Sequence, residues 1–278
     1  MYRIRQQLAR DPLFAIGVTL ALVVIIAGLA APLLAPADPI TGDLRAAYLL
    51  SPSLHHLFGT DSQGRDVLSR VLYGARISLA VGLIAQSVSL AIGVTLGLVS
   101  GYYGRWVDAV VMRLADITLA FPTLLLLIAV AAAVRPSLGL IFVVIGAVGW
   151  AGLARLVRGQ VLVLRSAEYV LAARALGASD RRVLWRHLLP NVQAPVIVAA
   201  TLGIAGAMMA EAALSFLGLG AQPPTPSWGA MVADGRDLLR VAPWVSVAPG
   251  AAIGIAVLAF NLVGDGLREV FGERPGRG

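Results

Sequence analysis

Residues 78–99 read SLAVGLIAQSVSLAIGVTLGLV, a run with no charged side chain. A helix needs about 20 mostly apolar residues to cross the hydrocarbon core of a bilayer, so this stretch predicts a membrane-spanning helix. Gly93, Gly97 and Gly101 recur through its second half and just beyond. Small residues at four-residue spacing let two helix backbones approach closely in lipid. The partner is either another helix of this chain or a second membrane subunit.

Five more windows of the same character flank it, at 13–34, 117–134, 138–154, 195–217 and 245–263. Together they predict an all-α polytopic membrane protein with six transmembrane helices. Composition agrees: of 278 residues, 58% are hydrophobic and 13% charged, and the mean hydropathy is +0.83. Soluble domains carry about 25% charged residues, so this chain lacks the charge to cover a globular surface. The expected organisation is an N-terminal segment, 1–70, with the first helix and an outer loop, then a transmembrane domain, 71–268, and a tail, 269–278. Arg3, Arg5 and Arg10 before the first window also suit a signal peptide, with Ala35-Pro36-Ala37 as a cleavage site. Its apolar run of about 22 residues exceeds the 7–15 of a signal core, which favours a retained spanning helix.

All 22 basic residues are arginine, against 15 acidic ones, for a net charge of +7. Cytoplasmic segments retain arginine near the spans. With the N-terminus inside, the inner segments hold 14 arginines and the outer ones 7. Both termini are therefore expected in the cytoplasm of a multi-pass protein of the cell membrane. Without lysine there is no G-x-x-x-x-G-K-[ST] loop to hold nucleotide phosphates, and without cysteine there is no disulfide, thiol chemistry or cysteine metal site. His55, His56 and His187 all fall in aqueous segments, and no H-E-x-x-H occurs. No catalytic site, no metal site and no bound nucleic acid are expected.

Seven of the arginines crowd into residues 155–190 beside Glu168 and Asp180, giving that segment +5. Glu168 to Leu176 is rich in helix formers, and Gly177 is a natural stop, since glycine adopts positive φ without a Cβ clash. Ser179 can cap a second short helix with Asp180 in its first turn, and Pro190 closes it. On a 3.6-residue wheel Leu184, Trp185, Leu188 and Leu189 share one face, with Arg182, Arg186 and His187 opposite. Such a knob either lies on anionic headgroups or docks against a protein.

The run from Tyr169 to Asn191 resembles the cytoplasmic "EAA" loop of ABC-importer membrane subunits. Ala172, Ala173, Gly177, Leu189 and Pro190 match its pattern, while Leu171 stands where the triplet's glutamate belongs. Gly59-Thr-Asp61-Ser-Gln-Gly64-Arg65-Asp66, Tyr73-Gly-Ala-Arg76, Ala120-Phe-Pro122, Leu214-Ser-Phe-Leu-Gly-Leu-Gly220, Trp228-Gly229 and Gly264-Asp265 follow in the order of dipeptide and oligopeptide permeases of the DppC/OppC type. The resemblance implies the transmembrane domain of a type I ABC importer of di- or oligopeptides, with relatives that carry nickel complexes or glutathione-like solutes. It also implies a second homologous permease subunit, two cytoplasmic ATPase subunits that bind the ATP, and an extracytoplasmic substrate-binding protein. This chain would hold no cofactor of its own. The ATPase-coupling element would comprise Ala172, Ala173, Gly177, Ala178, Ser179, Asp180, Arg182, Arg186 and Pro190.

Glu211 lies inside the fifth window, where a carboxylate near the bilayer centre costs about 2.5–3.5 kcal/mol on insertion scales. It shares a helical stripe with Gly203, Ala207 and Ser215. Glu211 and Ser215 either pack structurally or line the substrate path, where the carboxylate would attract a peptide's amino terminus. Asp61, Arg65, Asp66 and Arg70 fill either turn and cap roles or contacts to a binding protein. Pro223, Pro224, Pro226 and Trp228 suggest a stiff outer loop with an interfacial aromatic anchor. A self-contained secondary transporter is the competing class, though such proteins place several ion-coupling residues at midplane and Glu211 is the one clear charge there.

Overall fold

The computed structural model describes residues 2–133 and 137–272, whose regular structure is all helical, with no strand of sheet among them. The end of the third window at Val134, Arg135 and Pro136 of the loop after it, and the tail from 273 onward lie outside the described residues. In chain order the helices are α1 (Tyr2–Arg10), α2 (Pro12–Leu29), α3 (Ala31–Leu34), α4 (Val67–Tyr103), α5 (Arg105–Ala120), α6 (Thr123–Ala133), α7 (Leu138–Leu164), α8 (Glu168–Ala175), α9 (Asp180–Arg182), α10 (Gln193–Phe216), α11 (Trp228–Gly235) and α12 (Trp244–Phe271). Five of them, α2, α4, α7, α10 and α12, are long and apolar enough to cross a membrane.

The third window departs from the expected straight helix over 117–134. It is divided between α5 and α6, which meet at 90°. The cause is Pro122: its ring bars the preceding residue from helical ψ, and Phe121 is extended at φ −87°, ψ 137°. With 11 residues, α6 spans only about 17 Å, so a sixth crossing requires both members of the bent pair. Arg158 grips Asp108 of α5 through two bonds of 2.5 Å, and Arg155 pairs with Asp116, so two ion pairs fasten α5 along α7.

The remaining spans begin where caps dictate. Asp11 accepts from the amides of Leu13 and Phe14 with Pro12 at the first helical position, an arrangement that suits a helix start. Phe14, Gly17, Ala21, Val24 and Gly28 form the buried side of α2, which makes this helix part of the bundle. Asp66 receives the Ser69 amide at 2.7 Å and starts α4 eleven residues before the predicted window. At 37 residues, α4 is about 55 Å long and overshoots the bilayer core.

The second-span glycines pack within this chain. A Cβ on Gly93 would lie 2.8 Å from the Trp150 carbonyl, and one on Gly97 would lie 2.7 Å from both the Ala154 carbonyl and Val157 Cβ. The contact is reciprocal, because a Cβ on Gly146 of α7 would meet Val88 at 2.6 Å. Gly250 and Gly254 on α12 differ: the first meets only Val232 at 4.0 Å and the second nothing within 4 Å.

The two ends of the bundle are unlike. At one, Gln7 donates to Glu269 at 2.7 Å, holding α1 beside the end of α12, and the arginine-rich segment 165–191 sits at this same end. At the other, residues 35–66 fold into a cap. Arg65 donates to Asp61 at 2.7 Å, Arg70 to the Pro39 carbonyl at 3.0 Å, and Trp244 to the Thr60 carbonyl at 3.0 Å. Asp61, Arg65, Asp66 and Arg70 are all buried, so turn, cap and ion-pair roles account for them. Asp234 faces Arg65 at 3.9 Å; burial pushes its carboxyl up, while Arg70 and Arg65 pull it back down. Trp228, expected at the interface, is instead 2% exposed and donates to the Val71 carbonyl at 2.8 Å, because Gly74 leaves the indole a place on α4.

Replacing Gly97 by leucine forces α4 and α7 apart. Overpacking of this kind costs about 1–3 kcal/mol, so G97L should show a lower Tm in detergent than wild type, whereas leucine at the unpacked Gly254 should leave Tm nearly unchanged.

Candidate functional site

The arginine-rich knob is built on the bundle's own core. Val170 of α8, with Val183, Leu184 and Leu188, packs in one cluster with Leu98 of α4, Val157 and Val161 of α7, and Val192 at the start of α10. The Tyr102 hydroxyl at the end of α4 donates to Asp180 at 2.6 Å, and Arg165 donates to the Gly101 carbonyl at 3.2 Å. The knob therefore cannot shift without carrying the ends of α4 and α7 with it.

Gly177 forms the turn at its centre with φ +83°. Its amide bonds the Arg174 carbonyl at 2.9 Å, and the next amide, of Ala178, bonds Ala173 at 3.0 Å. This pair of bonds is a Schellman closure of a helix. Ser179 then accepts from the Arg182 amide at 3.4 Å with Asp180 in the first turn. Beyond Arg182 the winding loosens to a π-helix over Val183–Leu188, followed by a 3-10 turn, Leu189–Asn191, that runs on toward α10. Pro190 thus sits inside a continuous path into α10 and does not end the segment.

The π-turn alters the expected wheel. Its wider turn, closed by i→i+5 bonds, stacks Val183 over Leu188 and turns Trp185 outward. Val183, Leu184 and Leu188 are buried, whereas Trp185 is 51% exposed. The outer surface of the knob consequently combines Tyr169, Leu171, Leu176 and Trp185 with Arg181, Arg182 and Arg186, all exposed. A surface dip of about 460 Å³ runs between Ser179, Arg181, Arg182, Trp185 and Arg186. Exposed apolar side chains beside charge are the marks of an interaction surface.

Glu211 is fully buried in α10. Ser215 donates to one carboxylate oxygen at 2.6 Å and Ser78 of α4 to the other at 3.5 Å. The Ser227 hydroxyl caps α11 by accepting from the Ala230 amide at 3.3 Å. Ser215 also accepts the Ala221 amide at 3.1 Å. This carboxylate ties α4 to α10 through hydroxyls.

Two hollows lie between the spans. The first, of about 320 Å³, is bounded by α4, α6, α7 and α10, and no charged side chain lines it. The second, about 440 Å³, opens at the arginine-rich end beside Gln160, Arg268 and Phe271, and shares Leu156 and Ala199 with the first as walls. Of the stripe on α10, Gly203 and Ala207 line the first hollow but Glu211 and Ser215 do not.

The model of the family described as "Binding-protein-dependent transport system inner membrane component" matches residues 93–277. The chain is 45% identical over 264 residues to the dipeptide transport system permease protein DppC of Alkalihalophilus pseudofirmus, covering 95% of this chain and 86% of that one. It is 46% identical over 218 residues to the glutathione transport system permease protein GsiD of Pectobacterium atrosepticum, covering 78% and 72%. Among solved structures, a chain of the MetNI methionine ABC transporter in inward-facing conformations superposes with a TM-score of 0.58 at 20% identity, over 72% of this chain and 96% of that one. The fold is that of a type I ABC-importer transmembrane domain.

Substituting Glu211 by leucine strips the surrounding hydroxyls of their acceptor. An unsatisfied buried group costs about 1–3 kcal/mol, so E211L should lose more thermal stability in detergent than E211Q, which keeps an acceptor oxygen. Equal Tm for both variants and wild type would remove the carboxylate from the fold's polar network.

Proposed function

The chain belongs to the family of binding-protein-dependent transport system inner membrane components, and from that premise we propose that it is one of two permease subunits of an ATP-driven importer of di- or oligopeptides. The observation that carries this reading is the shared core of the knob, in which Val170, Val183 and Leu188 are welded to the ends of α4 and α7. A push on the exposed face of the knob is thereby delivered to two spans that wall the 320 Å³ hollow. The chain has no lysine for a phosphate loop, so the push comes from outside it, from cytoplasmic ATPase subunits that bind the ATP.

In this reading the arginine-rich end is cytoplasmic, and both termini lie there with it. The coupling face comprises Ala172, Ala173, Gly177, Ala178, Ser179, Asp180, Arg182, Arg186 and Pro190. The 35–66 cap faces the extracytoplasmic binding protein, and the second permease completes the path. Glu211 and Ser215 hold the wall of that path together. The role of this chain is transport and force transfer, with no chemistry of its own. Similarity to the GsiD relative supports glutathione-like solutes as the second substrate class.

The test uses the complete transporter in proteoliposomes with its binding protein and a labelled dipeptide. Proline at Gly177 cannot take φ +83° and lacks the amide that closes the turn. G177P should lose at least ten-fold in ATP-dependent uptake, while G177A, strained by about 1–2 kcal/mol, should lose less. Normal uptake by G177P would end the coupling role, and uptake without ATP would transfer the chain to the secondary transporters.

A further inference from the structure

Within the uncharged hollow between α4, α6, α7 and α10, three side chains carry polar atoms: Gln86, Ser89 and Thr123. Ser89 is engaged, donating to the Gly146 carbonyl at 2.8 Å. Thr123 is exposed at the start of α6. Gln86 is different. It is 8% exposed, more than nine-tenths buried at the middle of an apolar span, and its carboxamide forms no hydrogen bond with any described residue. No buried side-chain nitrogen or oxygen among the described residues lacks a hydrogen-bond partner, so the Gln86 amide keeps its small accessible surface on the side of the hollow that it lines.

The surroundings of Gln86 explain where the amide goes. A Cβ on Gly203 of α10 would lie 2.1 Å from Oε1 and 2.8 Å from Nε2 of Gln86. Only glycine at that position gives the carboxamide its place against α10, along the wall of the hollow. Gly152 of α7 and Gly206 of α10 line the same hollow, yet a Cβ on either would meet nothing within 4 Å. They are unlike Gly93, Gly97 and Gly146, whose missing side chains admit a neighbouring helix. At Gly152 and Gly206 the missing side chains leave open space.

Resting on the importer reading above, we propose that Gln86 is a substrate contact of the translocation path, and that it holds the peptide bond of the passing substrate. A carboxamide has one acceptor and two donors, so it can give a hydrogen bond to a peptide carbonyl and take one from the adjoining N–H. The contact depends on the backbone of the substrate and is indifferent to its side chains. Being neutral, it does not hold a zwitterion by charge. A hollow of about 320 Å³ falls at the small end of ligand sites, about 300–1,000 Å³. Its open glycine faces leave room for varied side chains, and the shared wall at Leu156 and Ala199 leads on to the second hollow at the arginine-rich end.

The experiment uses the whole reconstituted transporter with one binding protein throughout. Uptake is measured for a dipeptide and for its depsipeptide analogue, in which an ester oxygen replaces the N–H. The wild type should prefer the amide. Q86L should lower dipeptide uptake about ten-fold and bring the amide-to-ester ratio toward that set by the binding protein alone, while Q86N should restore part of the preference. G206V, which fills open space, should co-purify with the second permease and the ATPases yet lose uptake. Wild-type uptake and an unchanged amide-to-ester ratio in Q86L would overturn the contact. Failure of G206V to assemble with the second permease would overturn it too, by assigning the hollow to the subunit seam. Neither result touches the importer reading, which falls only if the wild-type complex shows no ATP-dependent uptake.

Discussion

Backbone contact between α4 and α7 is the constraint on which the rest of the structure depends. In lipid, apolar side chains gain nothing by leaving the solvent, so helices are joined by close van der Waals packing. Gly93 and Gly97 on one helix and Gly146 on the other remove the atoms that would hold the two axes apart. The resulting pair holds the longest helix of the fold, α4 at 37 residues, more than a crossing of the bilayer core requires. The 35–66 cap is seated at one end through Asp66 and Arg70. The knob shares its core with the other end through Leu98, Val157 and Val161. A single stiff spine therefore links the two aqueous surfaces.

Polar groups finish what the spine begins, and the charged ones are answered in ways that differ along the bundle. Arg155 and Arg158 leave α7 near the arginine-rich end and neutralise Asp116 and Asp108 on α5, so the helix that makes the sharp turn at Pro122 is anchored by charge. Deeper in the bundle, Glu211 is met by the hydroxyls of Ser215 and Ser78. A buried ion pair is costly to desolvate; small hydroxyls answer a lone carboxylate without adding a second charge.

Much of this was legible in the sequence because lipid imposes a simple code. Long apolar windows forecast the five full spans, and the four-residue glycine spacing forecast a close seam. What was not legible depended on local geometry that composition does not carry. Pro122 lay in the middle of an apolar window, yet its effect on Phe121 turned one expected span into two helices. The π-turn at Val183–Leu188 rotated Trp185 out of the face that a regular wheel gives it. Trp228 carried the signature of an interfacial anchor, but the gap at Gly74 drew it into the core.

Gln86 shows the same limit from the other side. It is the lone amide in residues 78–99, yet nothing in the sequence alone marks it out from a packed polar side chain. What marks it out lies on α10, more than a hundred residues away, in the absence of a side chain at Gly203. Glycines in a membrane protein thus have two opposite uses that spacing alone does not separate. At Gly97 the missing Cβ lets a neighbour in; at Gly206 it keeps the neighbour out and leaves space. The distinction is physical, because a packed glycine is destabilised by any larger residue whereas an open one is not. A transport protein needs both kinds, the first to make α4 and α7 move as one body and the second so that their movement opens and closes something.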